Sequence, residues 1–209
     1  GGGIAAVGRS PEQMGVPREV LDDSYLLQIA LLDPDCHAGL ERDHVLPYFD
    51  VALSTRQPHV DDYRDIPGLE VRPPDVHRYV VRVKPDVLRK FAAETGLEAL
   101  PPRDLEDEFV WRNSYRLNDA YYASLGEKRA FVLSHGRDLL VFKLVGYAEQ
   151  NVAYYRLQDF KAHAWIAHQR YPTKGRVWHP GGAHPFVGLN EALVHNGDFA
   201  NYYSVCEYL

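Results

Sequence analysis

Two segments carry residue types that can do chemistry at close spacing: AHQRYPTKGRVWHPGGAHPF (167–186) and LVHNGDFANY (193–202). The stretch HAWIAHQR (163–170) alternates strictly, so His168 and Arg170 share one face of a predicted strand that Pro172 ends. An arginine at a strand end can grip a carboxylate with two parallel N–H···O bonds, or it can hold a structural ion pair. Asn196-Gly197 follows another predicted strand, NEALVH (190–195). That pair makes a type I′ turn, or an oxyanion site with the Asn amide and the Gly backbone N–H aimed at one atom. Spacing leaves both open. The histidines His168, His179, His184 and His195 are separated by 11, 5 and 11 positions, which matches no standard ligand motif, and no metal is expected.

These residues need elements to hold them. Residues 3–7 read as a short buried strand, and Ser10-Pro11 as a capped helix start. The apolar spacing from Pro17 to Leu32 predicts a helix stopped by Asp33-Pro34. Residues 47–75 show no period and read as loop or insertion. Residues 76–83 read as a strand, and 85–94 as an amphipathic helix closed by Gly96. PPRDLEDE (101–108) reads as a polar connector. RAFVLS (129–134) and LLVFKLVG (139–146), joined through Gly136, predict a β-hairpin. Strands in runs, without a βαβ rhythm, predict an α+β fold with antiparallel sheets.

Composition narrows the setting. The chain has 209 residues, enough for one domain with a core. Hydrophobic residues make up 45% and charged residues 25%, an ordinary globular balance. A net charge of -6 and a pI of about 5.9 disfavour a general nucleic-acid partner. No apolar run approaches the roughly 18 residues of a membrane span, and the start lacks the regions of a signal peptide. Cys36 and Cys206 are the two cysteines, with no CxxC pattern. A cytoplasmic protein with reduced thiols, no nucleic acid and no membrane partner is therefore expected.

HQRYPT (168–173), GGAHPF (181–186) and VHNGDFANY (194–202), in that order, resemble the class II glutamine amidotransferases, which belong to the N-terminal-nucleophile hydrolases. The stretch 139–175 is similar to the amidotransferase domain of glutamate-synthase-like proteins, and the likeness extends over 139–209 and to the opening GGIAAVG. Residues 36–128 match weakly and read as a family-specific insertion in a partial type-2 domain spanning 1–209. The resemblance implies a four-layer αββα sandwich of antiparallel sheets. It also implies hydrolysis of glutamine to glutamate and ammonia, with ammonia passed to a synthase domain or subunit and no cofactor in this domain. In such proteins an N-terminal cysteine attacks the amide carbon and its α-amine is the base. The resemblance makes Asn196 and Gly197 the oxyanion hole, Arg170 the clamp on the glutamine carboxylate, and Thr173 a wall of the same pocket. His168 orients its neighbours, and Asp198 lies beside the site.

This chain departs from the pattern at the nucleophile. Aligning Gly3-Ile4 with the family's Cys-Gly-Ile start puts Gly2 where the cysteine is expected, preceded by Gly1. Glycine has no side chain to attack with, so two expectations stand: a glutaminase domain that has lost its nucleophile, or a homologue that binds glutamine or a related amino acid in a regulatory role. Cys36, between Asp35 and His37, is a poor substitute, because it lacks the terminal amine. The sequence also ends soon after the HNG segment, where relatives continue, which reads as truncation.

Overall fold

A computed structural model of the chain describes residues 1–122, 126–169, 179–196 and 201–208. The strands are β1 (Gly2–Val7), β2 (Tyr25–Leu31), β3 (Phe49–Arg56), β4 (Asp75–Val83), β5 (Ala130–Ser134), β6 (Leu139–Leu144), β7 (Ala164–Gln169), β8 (Phe186–Gly188) and β9 (Glu191–Leu193). The helices are α1 (Pro11–Met14), α2 (Arg18–Asp22), α3 (His37–Leu40), α4 (Pro85–Thr95), α5 (Pro102–Tyr121), α6 (Ala148–Tyr154) and α7 (Tyr202–Tyr208). Among the described residues three sheets form, in the orders β6-β1-β7, β3-β4-β2-β5 and β8-β9. All their pairings are antiparallel, so the fold is α+β with antiparallel sheets.

The four-stranded sheet is covered on both faces, and β2 shows why. Its side chains are buried throughout. Tyr25, Leu27, Ile29 and Leu31 enter one core with Phe91 of α4 and Phe109 and Leu117 of α5. Leu26 and Ala30 enter a second core with Ala5 of β1 and Val141 of β6. That second core joins the two larger sheets, and Gln28 stitches it: its Oε1 accepts from Ser134 Oγ and from the Val141 backbone N–H, each at 2.7 Å. On the far side of the three-stranded sheet, Phe142 and Trp165 pack on Phe160. There α6 is tied to β6 by Asn151 Nδ2 donating to the Phe142 carbonyl at 2.9 Å.

Several expectations are met. Ser10 caps α1, accepting from the Gln13 N–H, and Gly96 closes α4 in the left-handed region at φ 69°. Strands β1, β4, β6 and β7 lie where the patterning puts them. Four expectations are corrected. The predicted helix 17–32 is α2 followed by β2: YLLQIAL is apolar on both faces because both are covered, and a doubly buried strand has no alternation to separate it from a helix. Within 47–75, FDVALSTR forms β3, a strand alternating between buried and exposed residues beside β4. The polar connector 101–108 is the first part of α5, where Pro102 opens the helix and Leu105 and Phe109 give the core its sparse apolar contacts. The predicted hairpin does not form, since β5 pairs with β2 while β6 pairs with β1. His135 to Asp138 carries the chain from one sheet to the other instead.

That crossover is anchored by charge. Arg137 Nη2 donates to Glu106 Oε2 at 2.8 Å and to the Tyr25 hydroxyl at 2.6 Å, and Tyr25 donates in turn to Asp107. The acidic run at the start of α5 thus holds the turn between the sheets. Residues 36–128 supply β3, β4, α4 and α5, so this segment builds half of the four-stranded sheet and its helical cover.

Candidate functional site

The site is built on a row across the three-stranded sheet. Gly3 is directly opposite Lys143 of β6 on one side and His168 of β7 on the other. Opposed residues of antiparallel strands share a face. Lys143 and His168 therefore flank a position with no side chain.

The AHPF segment fills that position. A Cβ on Gly3 would lie 2.0 Å from the His184 carbonyl oxygen and 3.0 Å from Pro185 Cδ, so only glycine lets this backbone rest on β1. His184-Pro185 is a cis peptide. The His184 ring stands 4.7 Å from the His168 ring and 4.5 Å from Phe186. Phe186 covers Lys143, whose Nζ is 5.0 Å from the ring centroid. The His195 backbone N–H donates to His184 Nδ1 at 3.1 Å, which leaves the ring proton on Nε2 when the imidazole is neutral. The following residue, Asn196, is exposed. Parts of three motifs separated along the chain therefore meet over the first strand: His168, Ala183 to Phe186, and the His195 backbone.

Gly2 faces the other way. A Cβ there would meet the Gly146 carbonyl oxygen at 2.7 Å, and the Tyr147 carbonyl carbon at 3.4 Å. Its cross-strand partners are Leu144 and Gln169, and Gln169 Oε1 accepts from the Ala148 N–H at the start of α6. Any side chain at position 2 requires Gly146 to shift. A Cβ on Gly1 would sit 3.1 Å from Ala183 Cβ, a tight contact with a side chain. Arg170, Thr173, Gly197 and Asp198 lie outside the described residues.

The electrostatics centre on Lys143. It is 5% exposed, and among the described residues no carboxylate pairs with it. Burial pulls its ammonium down to about 8. The sequence reading missed this residue. Its signal is a lone lysine inside the apolar run LLVFKL, in a strand whose six residues are all buried. Cys36 lies elsewhere, in the core between the four-stranded sheet and its helices. Burial pushes its thiol up, the direction of an inert rather than a reactive cysteine. Among the described residues no group of three or more His, Cys, Asp or Glu side chains is placed to hold a metal ion. No described helix is long and apolar enough to cross a membrane.

No family model matches the chain. It is 32% identical over 211 residues to an uncharacterized protein of Archaeoglobus fulgidus, a match covering 100% of this chain and 47% of that protein. The chain thus spans about half the length of this relative.

Proposed function

We propose that the chain carries a class II glutamine-amidotransferase-type site on an N-terminal-nucleophile, four-layer αββα scaffold, and that with Gly2 in the nucleophile slot it binds its amino-acid ligand without hydrolysing it. The observation that carries this reading is the meeting of His168, His184-Pro185-Phe186 and the His195 backbone beside Gly3. These belong to the motifs on which the resemblance rests, and the strand on which they meet lies at the opposite end of the sequence. The helix-covered pair of antiparallel sheets is compatible with the proposed scaffold.

In this reading Arg170 clamps the ligand's α-carboxylate beside Thr173, and Asp198 borders the same pocket. Asn196 and Gly197 donate to the oxygen at the far end of the ligand's side chain. In hydrolysing relatives a cysteine thiolate attacks the amide carbon there, the oxyanion collapses, and ammonia leaves toward a synthase-type domain or subunit. This chain has no sulfur at that point. The crowding of position 2 against Gly146 favours the binding role over a silent enzyme, because a thiol there needs the backbone to move. The proposed step calls for no cofactor in this domain, and the sparse cysteines are compatible with a reducing, cytoplasmic setting.

Ammonia release from L-glutamine tests the reading, measured on the chain as it is and on a version that begins Cys-Gly-Ile, with Gly1 removed and Gly2→Cys. The chain as it is should bind glutamine-class amino acids and release no ammonia above the uncatalysed rate. Release from the unaltered chain overturns the binding-only role. Failure of both forms to bind any glutamine-class ligand overturns the site.

A further inference from the structure

Lys143 has no part in the chemistry so far described, yet it occupies the row over which the described parts of the candidate motifs meet. It lies directly opposite Gly3, on the face of β1 that carries the candidate motifs and away from the face that Gly2 presents, with His168 on the other side of that glycine. Its ammonium is packed beneath Phe186, and the lysine is 5% exposed. A lysine this buried ordinarily has a carboxylate partner, because an uncompensated charge in a low-dielectric setting is costly. The described residues supply none. The Phe186 ring covers it, the bare backbone of Gly3 lies beside it with His168 beyond, and no acidic side chain among the described residues pairs with it.

We propose that Lys143 supplies the cation for a carboxylate at the side-chain end of the ligand, so that the site selects a dicarboxylic amino acid of the glutamate class over its amide. The proposal rests on the amino-acid site proposed above and names its substrate class. A carboxylate supplies acceptor oxygens and the missing negative charge, whereas a carboxamide supplies an acceptor with no charge and brings N–H donors toward an ammonium. Selection by charge complementarity in a buried site is steep, because the wrong ligand leaves the buried charge unpaired. The glycine at position 2 accords with this: an acid has no amide bond to cleave, so a site for it has no use for a thiol. The lowered ammonium also predicts proton uptake, since a carboxylate brought alongside favours the charged form of the amine.

The test is titration calorimetry with L-glutamate and L-glutamine on the unaltered chain and on Lys143→Gln. L-glutamate should bind the unaltered chain at least about tenfold more tightly than L-glutamine, the scale of one charged pair. Lys143→Gln should remove that preference, and an unchanged far-ultraviolet circular dichroism spectrum shows that the variant is folded. A second readout needs no variant: at about pH 8.5 the heat of glutamate binding should depend on the buffer's ionisation enthalpy in the sense of proton uptake. Equal or tighter binding of L-glutamine, a preference that survives Lys143→Gln, or no proton uptake with glutamate each overturns the proposal. Binding of L-glutamine alone removes Lys143's role and leaves the amino-acid site standing, whereas binding of neither removes both.

Discussion

At Lys143 a charge is held where the fold penalises it. Its ammonium sits at about 8 in the folded chain, against an ordinary value of about 10.4. Folding therefore disfavours the charged form. The penalty is fully present below the folded value, and it fades as pH rises toward the unfolded one. Over that window the unfolded chain binds more protons, so stability rises with pH, by about 3 kcal/mol in all for a shift of this size. Lys143→Met keeps the stem's volume and removes the charge. The Met variant should be more stable than the unaltered chain near neutral pH, with the difference closing by about pH 10.5. Urea unfolding across a pH series measures this, and a pH-independent difference would contradict it. Phe186 supplies the aromatic face that partly offsets the desolvation.

Among the elements, β1 is the one on which the others converge. It pairs with β6 and β7 and underlies the turn at His184. Gly3→Ala would force a methyl group against a backbone carbonyl at 2.0 Å, which no side-chain rotation can relieve. Overpacking of this kind costs about 1–3 kcal/mol, and a backbone obstacle places this case at the upper end. A drop in urea midpoint of that size should come with loss of amide-exchange protection in β8 and β9; unchanged protection would mean that the AHPF segment does not rest on β1. Parts of this architecture were legible in the sequence and parts were not. Strands with one covered face, such as β7, announce themselves by alternation. β2 hides among helical patterns because helices α4 and α5 cover one of its faces and the other sheet covers the second. The start of α5 looks like a solvated connector, because its carboxylates are spent on Arg137 and Tyr25 across the fold. No local pattern records a partner that distant. His168, the AHPF segment and His195-Asn196 were legible because motif and order carried them. Lys143 was not, since its meaning comes from the register of β6 against Gly3.

For the whole molecule, the two larger sheets share a core and the described parts of the candidate motifs gather over the Gly3 row of the smaller of them. The long segment 36–128 contributes through β3, β4, α4 and α5, and its role is to support the sheet facing the site. In the function proposed above, this part of the molecule is an amino-acid site clamped by Arg170. The most direct measurement is calorimetric titration of L-glutamate and L-glutamine into the unaltered chain and into Arg170→Ala. Saturable one-site binding to the unaltered chain, weakened by about 2–5 kcal/mol in Arg170→Ala, is the predicted result, the usual loss when one partner of a desolvated charge pair is removed. Absence of saturable binding by either ligand, or an affinity that Arg170→Ala leaves unchanged, would contradict it.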